Sequence, residues 1–111
     1  MCRALKVLCA APTPERLGEL KRAAVSAQWE LVGGATSVEE LGRQVGEWGP
    51  DVVVVDGSLG AAAVEAARRA RSTVRVVAVG RVDGADLVAP TLAEVRDAIL
   101  GLPGPGGPVR R

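Results

Sequence analysis

The hydrophobic pattern of this chain is dominated by four consecutive valines at positions 52–55, followed by Asp56 and a glycine. A half-exposed strand alternates apolar and polar residues, whereas an unbroken β-branched run predicts a strand buried on both faces. Such strands are typical of the centre of a parallel sheet. Because ligands and reactive groups in these sheets lie at the carboxyl ends of the strands, Asp56 is the first candidate for a functional carboxylate.

Shorter apolar runs and helical spacings alternate along the rest of the chain. Capping signals predict three helix starts: Thr13 with Pro14, and the capping boxes Ser37–Glu40 and Thr91–Glu94. Strands are predicted at 5–11, 29–34, 51–56, 73–79 and 86–89, and helices at 14–27, 38–48, 59–71 and 92–102. The alternation predicts an α/β three-layer sandwich of flavodoxin type, with a mostly parallel five-stranded sheet in the order 2-1-3-4-5.

The connection before the fifth strand departs from this alternation. Only the six residues 80–85 separate the predicted strands, whereas a parallel crossover usually takes a dozen residues and a helix. One helix is therefore missing or very short. Either the segment crosses the sheet in extended form, or Asp83 and Gly84 form a type I′ turn and the strand returns antiparallel. The Asp-Gly pair slightly favours the hairpin, which would place Gly80 opposite Leu87.

Length and composition limit the number of domains and the classes of partner that this chain can have. The length of 111 residues indicates one domain, predicted at 1–102, and the Gly/Pro-rich stretch at 103–111 indicates a flexible tail or linker. No apolar run is long enough for a signal peptide or membrane span, so a cytoplasmic protein without membrane contact is expected. A net charge of +1 and only two aromatic residues argue against nucleic acid as a partner. Without histidine, Cys2 and Cys9 complete no metal site.

Three arginines, Arg68, Arg69 and Arg71, gather near the end of the predicted third helix. Positive charge at this end suits the helix dipole, and a solvated helix end is the favoured interpretation. A site for an anion or an acidic partner is the alternative.

Three segments, at 29–41, 50–56 and 84–90, give residues 4–102 a resemblance to the receiver domain of two-component response regulators. In that family the aspartate that ends the third strand accepts a phosphoryl group, and Asp56 matches it. The resemblance further implies an acidic pair after strand one that holds Mg²⁺. It also implies a Ser or Thr that ends strand four, and a Lys before the proline that follows strand five.

The chain departs from three of these four elements. Positions of the acidic pair are occupied by Ala10, Ala11 and Pro12; Gly80 follows a fourth strand without Ser or Thr; Ala89 stands at the lysine position. Phosphoryl transfer needs a metal ion and a positive side chain, whereas Asp56 is expected to offer one ligand and no charge partner. Neither Asp83 nor Asp86 has a spacing that requires it to approach. Asp56 is therefore expected to cap the following turn.

These observations predict a degenerate receiver, or pseudo-receiver, that has no catalytic residue, metal or cofactor and acts as a regulatory protein–protein interaction module. Loss of the fourth helix is expected to expose an apolar edge that binds a second copy, a protein partner or an attached output domain. The expected surface residues are Val82, Leu87, Val88 and Val95.

Three alternatives remain open. The first is the N-terminal receiver-like domain of a MinD/ParA-type positioning ATPase, as in pilus assembly or septum placement. The second is a phosphoswitch at Asp56. The third is a small-ligand site at the strand ends near Ala11, Asp56, Ser58 and Gly80.

Overall fold

The computed structural model describes residues 5–101, and the predicted tail at 103–111 lies outside the described residues. Its elements alternate as expected along the chain. They are β1 Leu5–Ala10, α1 Pro14–Ala24, β2 Trp29–Ala35, α2 Val38–Trp48, β3 Val52–Asp56, a 3₁₀ turn Gly57–Leu59, α3 Ala61–Ala70, β4 Arg75–Val79, β5 Leu87–Ala89, a 3₁₀ turn Leu92–Glu94 and α4 Val95–Leu100.

The valine strand β3 lies at the centre of the sheet, as predicted. The strand order is β2-β1-β3-β4-β5, and every neighbouring pair is parallel. All five residues of β3 are buried. Val53 and Val55 enter the core beneath α2 and α3, whereas Val52 and Val54 enter the core beneath α1 and α4. Burial on both faces explains why this strand contains no polar alternation.

Local capping fixes where the first two helices begin. Thr13 caps α1 by accepting a hydrogen bond from the Arg16 amide at 3.1 Å, and Pro14 follows in the first helical position. Ser37 caps α2 in the same way, but Glu40 reaches back to the amide of Thr36 at 2.8 Å. The predicted start of α2 is therefore confirmed.

The second predicted capping box is wrong. The Thr91 side chain makes no cap hydrogen bond to the backbone and instead donates to the Glu94 carboxylate at 3.0 Å. The chain first makes a 3₁₀ turn, and α4 begins only at Val95. Because Arg96 donates to the carbonyl oxygens of Val25 and Arg22, at 2.7 and 3.2 Å, α4 satisfies groups at the end of α1.

The hairpin interpretation of the last strand is also wrong, because β5 runs parallel to β4 with Val77 beside Leu87. A turn does form, with the Ala85 amide 3.5 Å from the Val82 carbonyl and a φ of +90° at Gly84. A type I′ turn also requires positive φ at Asp83, and among residues 5–101 only glycines adopt it. Residues 80–86 therefore cross the sheet without a helix.

The crossover covers the sheet with buried Val82 and partly buried Ala85, where a helix would use several apolar side chains. Val82 is buried at 7% exposure in the core that α2 and α3 share with the sheet. Val95 is fully buried on the opposite face. The expectation that these two valines are exposed is therefore wrong: Val82 fills the space left by the missing helix, and Val95 anchors α4. Leu87 and Val88 are exposed, at 36% and 44%.

Truncation of Val82 tests whether it anchors the crossover. Val82→Ala removes two buried methyl groups and should lower the free energy of unfolding by about 2 kcal/mol in chemical denaturation. Val88→Ala, on the exposed edge nearby, is the matched control and should change it by less than about 0.5 kcal/mol. Equal losses for the two variants would contradict the anchoring role.

Candidate functional site

The candidate site lies at the carboxyl edge of the sheet, where Asp56 ends β3. The strand register places Ala10 beside Val55 and Asp56 beside Val79. The five residues predicted to form a degenerate pocket follow or end the neighbouring strands at this edge. They are Ala10 and Ala11, both fully buried, Pro12, which is exposed, Gly80, and Ala89, which is buried.

Two glycines close the gap between the loops after β3 and β4. A Cβ atom on Gly57 would lie 2.5 Å from the Val79 carbonyl oxygen, so only glycine allows this approach. The φ of +91° at Gly80 similarly favours glycine, and its amide donates to the Ala89 carbonyl at 2.9 Å. The loops after β3 and β4 therefore pass so close together next to Asp56 that no larger side chain fits between them.

Asp56 caps the following turn, as predicted from sequence. One of its carboxylate oxygens accepts hydrogen bonds from the amide and the hydroxyl of Ser58, the amide at 3.3 Å. Gly60, not Ser58, occupies the N-cap position of α3, and the Ser58 hydroxyl donates to Asp56 instead. One carboxylate thus ends β3 and begins the 3₁₀ turn that leads into α3.

A charge partner for Asp56 is also present, contrary to expectation. The Arg16 side chain, from the first turn of α1, donates from Nε to the second oxygen of Asp56 at 2.8 Å. Its Nη1 atom donates to Glu19 at 3.1 Å. The side chain of Asp56 is 8% exposed and that of Arg16 is 36% exposed, so the carboxylate is buried while the guanidinium covers it from the solvent side.

The ionisation of Asp56 follows from these contacts. Burial acts to raise the pKa of Asp56, but the hydrogen bonds from Ser58 and Arg16 outweigh it and hold the pKa below its ordinary value. The hydrogen bonds to Asp56 and Glu19 also raise the pKa of Arg16. The site is therefore a permanent ion pair at neutral pH.

Sequence reasoning missed Arg16 although a signal was present. Arg16 lies in the first turn of α1, where the positive end of the helix dipole disfavours a cation. A basic residue in that position is favoured by a carboxylate nearby, and Glu19 and Asp56 both supply one. The carboxyl end of β3 is the place where a parallel sheet would bring one.

Neither Asp83 nor Asp86 is among the groups that act on the charge of Asp56. Asp86 lies toward the opposite end of β4, where its carboxylate accepts from the Val76 amide at 2.7 Å and from Arg68 at 3.0 Å. Within residues 5–101 no three acidic, cysteine or histidine side chains are grouped to hold a metal ion. Cys9 is buried in the core, where desolvation raises the pKa of its thiol to about 12. Over the same range no helix is long and apolar enough to cross a membrane.

No protein-family model matches the sequence, and no curated protein matches it closely enough to count as a relative. Solved structures do. The chain is similar to the response regulator domain of Thermotoga maritima CheB, with 19% identity and a TM-score of 0.68, covering 88% of this chain and 92% of that one. It is also similar to the signal receiver domain of NarL from Mycobacterium tuberculosis. The identity is 20% and the TM-score is 0.71, and the match covers 89% of this chain and 95% of that one.

A third similar structure is the N-terminal domain of an uncharacterized protein from Wolinella succinogenes. It has 21% identity and a TM-score of 0.60, and the match covers 77% of this chain and 80% of that chain.

The pH dependence of stability tests the ion pair. Because the folded pKa of Asp56 is lowered, its stabilisation is complete above the unfolded pKa, about 3.9, and is lost as the pH falls through the folded pKa. Arg16→Ala should therefore lower the free energy of unfolding by about 1 kcal/mol at pH 7, allowing for partial exposure, and by less below pH 4.

Arg43→Ala is the control, because Arg43 pairs with Glu40 and Glu47 on the exposed face of α2, at 3.6 and 3.8 Å. It should have a smaller effect at pH 7. A constant difference between Arg16→Ala and the unmodified protein from pH 7 to pH 3 would contradict the pairing.

The strand order, the parallel pairing and the similarity to the solved domains lead to the same conclusion: this chain has the flavodoxin-like fold of receiver domains.

Proposed function

We propose that this chain is a pseudo-receiver, a regulatory protein-interaction module that does not depend on phosphorylation and is not an enzyme. The observation that carries the proposal is the ion pair between Arg16 and Asp56. A phosphoacceptor aspartate must approach a phosphoryl donor together with a divalent cation. Here the carboxylate is buried, and both of its oxygens are engaged by protein groups.

The surrounding residues support the same conclusion. Ala10 and Ala11 offer no carboxylate beside Asp56, and Ala89 offers no cation at the end of β5. The guanidinium of Arg16 compensates the aspartate charge without a metal ion. A phosphorylated Asp56 would have to break this pair, and no second cationic side chain of residues 5–101 contacts it.

The proposed binding surface is the outer edge of β5, which no other strand of residues 5–101 pairs with. Leu87 and Val88 are exposed on this edge strand, and Leu100 of α4 is 57% exposed. Leu87 approaches the end of α4, since a Cβ atom on Gly101 would lie 3.8 Å from its Cδ1. An unpaired strand edge flanked by apolar side chains favours association, and a second copy of this chain is the proposed first partner.

Self-association measured by sedimentation or light scattering tests this function. Leu87→Arg combined with Val88→Arg places two charges on the edge and should weaken association at least about tenfold. Val25→Arg combined with Trp48→Arg is the matched control, because these apolar residues are even more exposed, at 51% and 48%, and lie at the ends of α1 and α2.

Phosphorylation independence is tested in the same assay. Mg²⁺ with acetyl phosphate, a small phosphoryl donor, should leave the association constant unchanged. Association that is insensitive to both edge substitutions, or that appears only with the phosphoryl donor, would overturn the proposal.

A further inference from the structure

The crossover 80–86 leads into the edge strand, and one side chain of a neighbouring helix hydrogen-bonds it at two points. Arg68 of α3 donates from Nη2 to the Gly84 carbonyl at 2.7 Å and to the Asp86 carboxylate at 3.0 Å. The two acceptors lie on either side of Ala85, immediately before β5 begins. One guanidinium therefore contacts both the turn of the crossover and the entry to the edge strand.

Asp86 transmits this contact to the sheet. Its amide donates to the Val76 carbonyl at 2.8 Å, and its carboxylate accepts from the Val76 amide at 2.7 Å. The same carboxylate oxygen accepts from Arg68. The carboxylate thus links α3 and the crossover to the start of the β4–β5 pairing.

The expectation of a solvated arginine cluster is wrong for Arg68. Val64, one helical turn earlier on α3, is buried, so Arg68 lies toward the sheet side of the helix. Its side chain is 36% exposed and that of Asp86 is 30% exposed. Arg69, the next residue, is exposed.

We infer that Arg68 is a positioning residue for the β5 edge: through Gly84 and Asp86 it holds the crossover against α3 and so sets the placement of Leu87 and Val88. This inference rests on the proposed function only for its consequence in binding. The other attachments of the crossover are buried Val82, partly buried Ala85, and hydrogen bonds from the Gly80 and Asp86 amides to Ala89 and Val76. Both hydrogen bonds leave the same nitrogen, Nη2, whose two N–H groups can serve one acceptor each.

Amide hydrogen exchange, measured on the whole chain at a concentration where it is monomeric, tests the inference. Arg68→Ala should speed exchange of the Asp86 and Gly80 amides by about tenfold or more, while the amides of β1 and β3 keep their protection. Arg69→Ala, the matched control, should change none of them. Arg68→Lys should give an intermediate rate at Asp86, because it keeps the charge on a shorter side chain.

Self-association then separates this inference from the proposed function. Arg68→Ala should weaken association at least about tenfold although Leu87 and Val88 are unchanged. Unchanged exchange at Asp86, or faster exchange spread uniformly over the sheet, would overturn the positioning role even if the edge binds. If the unmodified protein does not associate but exchange rises locally in Arg68→Ala, the positioning role holds and the proposed function fails.

Discussion

A carboxylate at the end of a strand that is buried on both faces must have its charge compensated, and this constraint organises the functional edge of the protein. Burial of β3 places Asp56 where water cannot solvate it fully. Hydrogen bonds from Ser58 to one carboxylate oxygen and from Arg16 to the other offset this loss of solvation. Because Arg16 belongs to α1 and Ser58 to the turn before α3, the same carboxylate ties helices from both layers to the central strand.

Compensation by an arginine differs in kind from compensation by a metal ion. A bound cation can leave, can be shared with a phosphoryl group and leaves coordination positions open. The Arg16 guanidinium is covalently part of the chain, is charged at every physiological pH and forms a directed hydrogen bond. This fixed positive charge beside Asp56 is the physical basis for proposing a binding module that is not switched by phosphorylation.

The second adaptation lies at the opposite end of β4. Where an additional helix would pack, residues 80–86 insert Val82 into the core, and Arg68 holds the segment from α3. In each place an arginine from a helix contacts a segment at the sheet: Arg16 pairs with Asp56, and Arg68 hydrogen-bonds the crossover. The result is a short parallel edge strand that leaves Leu87 and Val88 exposed.

The sequence predicted the sheet because the signals for it are local and redundant. The valine run, the caps at Thr13 and Ser37 and the alternation of elements all specify the same layers. The direction of β5 could not be predicted in this way, because Asp83 and Gly84 are compatible with several turns and only the pairing of β5 with β4 decides among them. The two arginine contacts link residues 40 and 18 positions apart, and no short-range spacing reveals them.

The most direct measurement is a backbone amide NMR spectrum of the protein with and without Mg²⁺ and beryllofluoride, which mimics an aspartyl phosphate. If Arg16 has taken the place of the metal-dependent chemistry, the amide signals of Asp56, Gly57 and Gly80 should not move. Shifts at these amides that spread to residues 80–90 would show that the site still accepts a phosphoryl group and transmits its presence, and would contradict the account.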